Sequence, residues 1–325
     1  MPKKPELDAD FERYVVDSPS LTYVQPTDTA FRRFIIDRLE KILGRGEIED
    51  IYNKLKEAPF DIQTFFDRAI KESKINIEHL GLQPEELKHT EGPLVFVANH
   101  PFGILDGTVL CDLAAQVRGD LRIMINSALC QDRDLAPYFL PIDFEQSQKA
   151  IRTNIKSKKL ALENLSDDVP VLIFPSGMVS TAKKFGFGSV KDAPWTTFAA
   201  KLVRESKATV VPVYFHGQNS RKFHIGSHLA EPLRMGMLMH EATNKFGRDV
   251  PVTIGHPIAW DEIKEIQGRQ ELTDVLYAAV QALKHSKVEP DGKNSIEKLV
   301  LKIRALNRKR REKRRAKRSG KSSSN

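Results

Sequence analysis

Residues 97–108 read VANHPFGILDGT: an apolar run delivers Asn99, His100 and Pro101, and Asp106 follows the histidine within the same loop. An imidazole titrates near neutral pH and can take a proton from a hydroxyl or amine. A carboxylate on its other ring nitrogen would fix the tautomer and stabilise the imidazolium. Gly103 eases the fold-back of the PFGIL loop that such a pairing needs. No serine or cysteine beside the pair offers itself as a nucleophile, so the attacking atom would belong to a substrate. A plainer reading fits the same residues: His100 bonds a loop carbonyl, and Asp106 caps a helix beginning at Gly107.

The pair needs a sheet edge. LVFVA at 94–98, LRIMIN at 121–126, VPVLIF at 169–174, TVVPVYF at 209–215 and VPVTIG at 250–255 are short β-branched runs. Helical patterns separate them, so the expected fold class is α/β with a largely parallel sheet covered by helices. In such sheets ligands bind in the crevice beyond the carboxyl ends of the strands, which is where His100 would stand. Apolar stripes such as Phe31, Phe34, Ile35 and Leu39 make residues 1–90 an N-terminal helical lobe. Residues 91–287 form the α/β domain, and 288–325 read as a linker and a basic tail without a core, expected to be disordered, with a short helix as the alternative from Ile296 to Arg304.

Other residues compete for roles. FPSG at 174–177 ends a buried-strand pattern in a turn, where Ser176 is either a turn residue or a hydroxyl that helps place a substrate. Asn219, Ser220 and Arg221 follow the VPVYF strand as substrate contacts or as turn chemistry. Phe102 either lines an apolar channel or packs in the core. His224 and His228 have the four-residue spacing of helical metal ligands, but Gly226 intervenes and no acid stands in register, so no metal is expected. The glycines of GFG at 186–188 lack the strand and helix context of a dinucleotide fingerprint.

NHPFGILDG, FPSGMVS and VPVYFHGQNSRKF occur in this order, and here the chain resembles the glycerophospholipid acyltransferase superfamily, closest in look to its bacterial hemolysin-like branch linked to lyso-ornithine-lipid O-acylation. The resemblance spans roughly residues 91–260. It implies that His100 deprotonates an acceptor hydroxyl, which attacks the thioester carbonyl of an acyl carrier protein or acyl-CoA, while Asp106 orients the ring. It places Asn99, Phe102, Gly103, Phe174, Pro175, Ser176, Gly177, Asn219 and Ser220 at the substrates. Lys183 and Lys184 read first as a solvated loop, and otherwise as contacts to the donor's phosphates or an anionic lipid head. No bound cofactor is implied, since the acyl thioester is a co-substrate. Better-known members carry Glu where Ser176 stands and use it to hold a glycerol phosphate acceptor, so a lysolipid with another head group is the expected partner.

The formal charge of +8 is uneven, because Lys302 to Asn325 carries twelve Lys and Arg against Glu312. The remainder is slightly acidic, and only the tail is a polycation. An anionic membrane surface is its expected partner, at about 1 kcal/mol per basic residue. The absence of any aromatic residue after Leu301 argues against base stacking and so against nucleic acid. The polar N-terminus, the lack of a membrane-length apolar run, and two isolated cysteines, Cys111 and Cys130, give the expected location: cytoplasmic, peripheral on the inner face of the cytoplasmic membrane. The rival reading is a non-catalytic lipid-binding or nucleic-acid-associated protein that keeps the fold.

Overall fold

All five residues of Leu94–Ala98 are 0% exposed, as expected for a central strand covered on both faces. Leu94, Phe96 and Ala98 join one apolar cluster and Val95 and Val97 the other, so the two-residue period of the strand divides its side chains between two helical layers. The computed structural model of this chain describes residues 4–17, 28–42, 44–182, 188–229, 231–285, 296–305 and 308. Its elements are, in chain order, α1 (Ala30–Ile42), α2 (Arg45–Lys56), α3 (Ile62–Glu72), β1 (Asn76–Gly81), α4 (Pro84–Leu87), β2 (Leu94–Ala98), α5 (Ile104–Arg118), β3 (Arg122–Asn126) and β4 (Phe139–Ile142). There follow α6 (Gln148–Ser166), β5 (Val171–Ile173), β6 (Thr181–Ala182), β7 (Val190–Lys191), α7 (Phe198–Ser206), β8 (Thr209–Phe215), α8 (Arg221–Leu229), α9 (Glu231–Thr243), β9 (Asp249–Ile254), α10 (Trp260–Ile263) and α11 (Arg269–Ala282).

The main sheet has seven strands in the order β1-β9-β8-β2-β5-β3-β4. Every pairing is parallel except β8 with β9. β2 pairs with β8 through Ala98↔Val213 and with β5 through Val97↔Ile173, so the carboxyl ends of these three strands open on one crevice. The chain leaves β2 towards β3 and β4, returns to β5, and then crosses to β8 on the other side. That reversal is the kind of switch point where the following loops diverge and leave room for a ligand. α3 and α5 pack on one face and α6, α7 and α11 on the other.

Several expectations need correction. Residues 1–90 are not wholly helical: Asn76–Gly81 is an edge strand paired with Asp249–Ile254, and its polar sequence NIEHLG lacks the clean alternation that would have announced it. The helices of this segment also share the cluster of α5 and β2, so the core runs across the boundary drawn at residue 90. β4 (FLPI) is a strand that the apolar runs did not include; among the described residues it pairs only with β3, at the sheet edge where its Pro141 is tolerated. Residues 296–305, within the tail but offered by the sequence as a short helix from Ile296 to Arg304, are helical, with Ile296, Leu299, Val300 and Ile303 against the core. Lys183 and Lys184, the linker at 288–295 and the basic run from 309 onward lie outside the described residues. Among the described residues, no helix is long and apolar enough to cross a membrane.

Candidate active site

β2 ends at Ala98, and the next two residues are held in different ways. Asn99 is buried; its amide donates to the Phe215 carbonyl (3.0 Å) and accepts the Phe215 N–H (2.8 Å), tying the end of β2 to the end of β8. Each of its polar groups thus makes a bond within the protein, and Asn99 ties the two strands at the mouth of the crevice. His100 comes next, at the crevice, with its side chain 17% exposed.

Asp106 reaches back to His100, its Oδ2 lying 3.0 Å from the ring Nδ1. The same oxygen accepts the main-chain N–H groups of Phe102 (2.8 Å) and Gly103 (3.0 Å). The two sequence readings therefore merge: one carboxylate satisfies otherwise orphaned amides at the helix start and holds the imidazole. The helix begins at Ile104 and not Gly107, so Asp106 lies inside its first turn. Gly103 makes this possible, with φ at +90° and a position where a Cβ would lie 3.2 Å from Leu238 and 3.3 Å from Val179. Asp106 is fully buried, and desolvation pushes its carboxyl above the ordinary range, opposed by His100 and by the two amides.

The FPSG block supplies a wall. The Phe174 ring stacks on the His100 imidazole at 4.0 Å between centroids and 21° between planes. Pro175 accepts the Thr196 N–H (3.0 Å), and Gly177, at φ +62°, closes a turn onto the Phe174 carbonyl (2.9 Å). The Ser176 hydroxyl donates to the Met178 carbonyl (2.8 Å), which is the turn role and not a free hydroxyl for a substrate.

On the β8 side, Gly217 (φ +112°) sits against the Phe102 ring, where a Cβ would come within 2.8 Å of Cζ. Phe102 is 3% exposed and belongs to the core. Ser220 is engaged by Glu241 of α9, which accepts its main-chain N–H (2.9 Å) and its hydroxyl. Asn219 differs: it is 1% exposed, and neither atom of its amide meets a hydrogen-bond partner among the described residues. A buried amide in that state costs about 1–3 kcal/mol per group unless a ligand or water pairs with it. Arg221 is exposed at the start of α8. His224 and His228 do lie a turn apart on α8; the His224 ring is buried and accepts the Ala182 N–H (3.4 Å).

Three charged residues near the site went unnoticed in the sequence. Asp192 accepts the His100 main-chain N–H (3.3 Å) and the Trp195 indole N–H (2.9 Å) and is bonded by the Ser180 hydroxyl. Glu241 is fully buried, and Lys245 lies 3.7 Å from it with its ammonium 5.2 Å from the Phe102 ring centroid. Burial pulls the Lys245 pKa down, and Glu241 opposes the shift. No motif marks these positions, since each reaches the site through a fold contact and not through local spacing.

Comparison with known proteins bears on what this arrangement belongs to. The profile of a family described as "Acyltransferase" matches residues 31–287. A lyso-glycine lipid O-acyltransferase of Phocaeicola vulgatus is 28% identical over 260 residues, covering 75% of this chain and 87% of the relative. One from Bacteroides thetaiotaomicron is 27% identical over 263 residues, covering 75% and 89%. The crystal structure of the 1-acyl-sn-glycerophosphate (LPA) acyltransferase PlsC from Thermotoga maritima is similar with a TM-score of 0.45 at 18% identity, covering 78% of this chain and 87% of that one. With the family profile spanning most of the sequence and the motif blocks in order, the chain belongs to this acyltransferase family, within the glycerophospholipid acyltransferase superfamily.

Proposed function

We propose that this protein is a peripheral membrane O-acyltransferase that moves a fatty acyl group from an acyl thioester, carried by acyl carrier protein or CoA, to the hydroxyl of a lysolipid. The observation that carries the reading is the state of His100. Its Nδ1 is held by a buried carboxylate and its ring face by Phe174, which leaves Nε2 as the one ring nitrogen open to a substrate. In the reaction, Nε2 takes the acceptor hydroxyl proton as the oxygen attacks the thioester carbonyl. The tetrahedral adduct collapses, the C–S bond breaks, and the thiolate recovers the proton from the imidazolium. The products are an ester and a free thiol, and Asp106 stabilises the positive ring between the two proton transfers.

The acceptor follows from two features and the relatives. Ser176 is not a carboxylate and its hydroxyl is engaged in its own turn, so the loop lacks the glutamate that family members use for glycerol phosphate. The unpartnered Asn219 amide offers a donor and an acceptor to an incoming head group. Relatives named for lyso-glycine lipid support an amino-acid lysolipid as the acceptor. The test is a panel of lyso-glycine lipid, lyso-ornithine lipid and lysophosphatidic acid, each offered to purified protein with acyl carrier protein and CoA thioesters, while thiol release and ester formation are followed. An amino-acid lysolipid should be the best acceptor. Preference for lysophosphatidic acid would refute the acceptor assignment, and no transfer to any hydroxyl would refute the activity.

A further inference from the structure

We infer that Asp192 is a positioning residue for His100, fixing the main chain of the base as Asp106 fixes its ring. The inference rests on the reading of His100 as the base. It starts from an accounting of backbone groups: the β2–β8 ladder ends at Ala98↔Val213, and Asn99 closes it with its side chain, so the sheet offers the His100 N–H no further partner. A half-buried amide beyond the end of the ladder needs one. Asp192 Oδ1 accepts it at 3.3 Å, and the His100 carbonyl accepts the Ser180 N–H at 2.7 Å.

Ser180 and Asp192 form one clamp. The short antiparallel ladder pairs Thr181 with Lys191 and Ala182 with Val190, which brings Ser180 opposite Asp192 in register, and the Ser180 hydroxyl bonds Asp192 Oδ1. The second carboxylate oxygen accepts the Trp195 indole N–H at 2.9 Å, so the carboxylate cannot swing away. Both main-chain groups of His100 are thereby held by a neighbouring ladder, while Asp106 and Phe174 hold the ring. A carboxylate that served the ladder alone would need Ser180 and Trp195 but not the strand-end amide. Misplacing a catalytic group by about 1 Å can cost on the order of 10²-fold in rate, so the clamp should act on kcat and not on substrate affinity.

The experiment compares Asp192→Ala and Asp192→Asn with His100→Ala in the full chain, on one acyl thioester and one competent lysolipid. Asp192→Ala should lower kcat by roughly 10- to 100-fold with KM for both substrates unchanged, and the His100 amide should exchange hydrogen faster. Asp192→Asn keeps an acceptor oxygen for the His100 N–H and should recover most of that loss. Wild-type kcat in folded Asp192→Ala overturns the inference, as does a raised KM at constant kcat. If the alanine variant does not fold, Trp195→Phe, which frees the second Asp192 oxygen and lets the carboxylate swing, decides: wild-type kcat with unchanged exchange at His100 overturns the inference, and a lowered kcat with faster exchange supports it. An inactive His100→Ala beside normal Asp192 variants removes this inference alone. An active His100→Ala removes the base reading itself.

Discussion

Asp106→Asn separates the two jobs of the buried carboxylate. An amide oxygen in the place of Oδ2 keeps the contacts to the Phe102 and Gly103 amides, 2.8 and 3.0 Å away, so the start of α5 stays satisfied. It also keeps an acceptor 3.0 Å from His100 Nδ1, so the tautomer survives. The charge is what disappears. A carboxylate and an imidazolium with charge centres about 4 Å apart attract by about 4 kcal/mol at an effective dielectric of about 20. With the imidazolium partly formed in the transition state, about 3 to 4 kcal/mol of barrier is at stake, a loss of roughly 10² to 10³ in kcat. The sign for stability is different. Burial raises the Asp106 pKa above the ordinary carboxylate value. Stability associated with a raised acid is full below the unfolded pKa and is lost as pH rises through the folded one, so the ionised form is penalised at neutral pH. The neutral amide escapes that penalty, while its NH₂ falls where Oδ1 has no partner, at a cost of about 1–3 kcal/mol. The two effects oppose each other, and the melting temperature should stay within a few degrees of wild type. Thiol release from the acyl thioester measures kcat, and circular dichroism measures melting. A kcat within about threefold of wild type in protein of unchanged melting temperature would refute the argument and leave Asp106 as a helix cap.

Three further outcomes are expected. His100→Ala should lower kcat by about 10² to 10⁴ with little change in melting, because the side chain sits at the crevice and not in the core; near-wild-type turnover would rule out the base. Asp112, 7% exposed on α5, has its carboxyl pushed up to about 6 by burial. Its contribution is therefore lost as pH rises through about 6, and Asp112→Asn should stabilise the fold by up to about 3 kcal/mol above that pH, with the gain vanishing at acidic pH; denaturant melts across the range check it. Removing residues 309–325, which leaves the packed helix over 296–305 in place, should weaken sedimentation with anionic vesicles. The intact protein's binding should fall as salt shortens the Debye length below about 8 Å, and turnover on detergent-dispersed substrate should not change. Equal binding by truncated and intact protein would show that another surface docks.

Much of the sheet was legible because its central strands are buried on both faces. LVFVA, VPVLIF and TVVPVYF announce themselves by apolar runs too short for helices and too dry for loops. The strands that escaped notice are β1 and β4, at the two edges of the sheet, where a strand needs neither an unbroken apolar run nor a proline-free one. Of the site, His100 and Asp106 were legible because seven consecutive residues carry both, and the turn chemistry of Gly103 joins them locally. Ser176 and Ser220 were legible as polar residues near strand ends, but their partners, the Met178 carbonyl and Glu241, were not.

The sequence by itself determined which groups stand together: an imidazole and a carboxylate six positions apart at the end of a buried strand, with motif blocks in the order of an acyltransferase. Tertiary structure alone decided which groups are free to use it. The Asn99 amide is engaged across strands by Phe215, and the Asn219 amide meets no partner among the described residues, although both are asparagines just past a strand. Asp192 arrives at His100 across a ladder from a position far along the chain. Hydrogen-bond partners of this kind are set by distance in space, which short-range spacing does not encode, whereas the periodicity of burial and the reach of a single loop are local and can be read residue by residue.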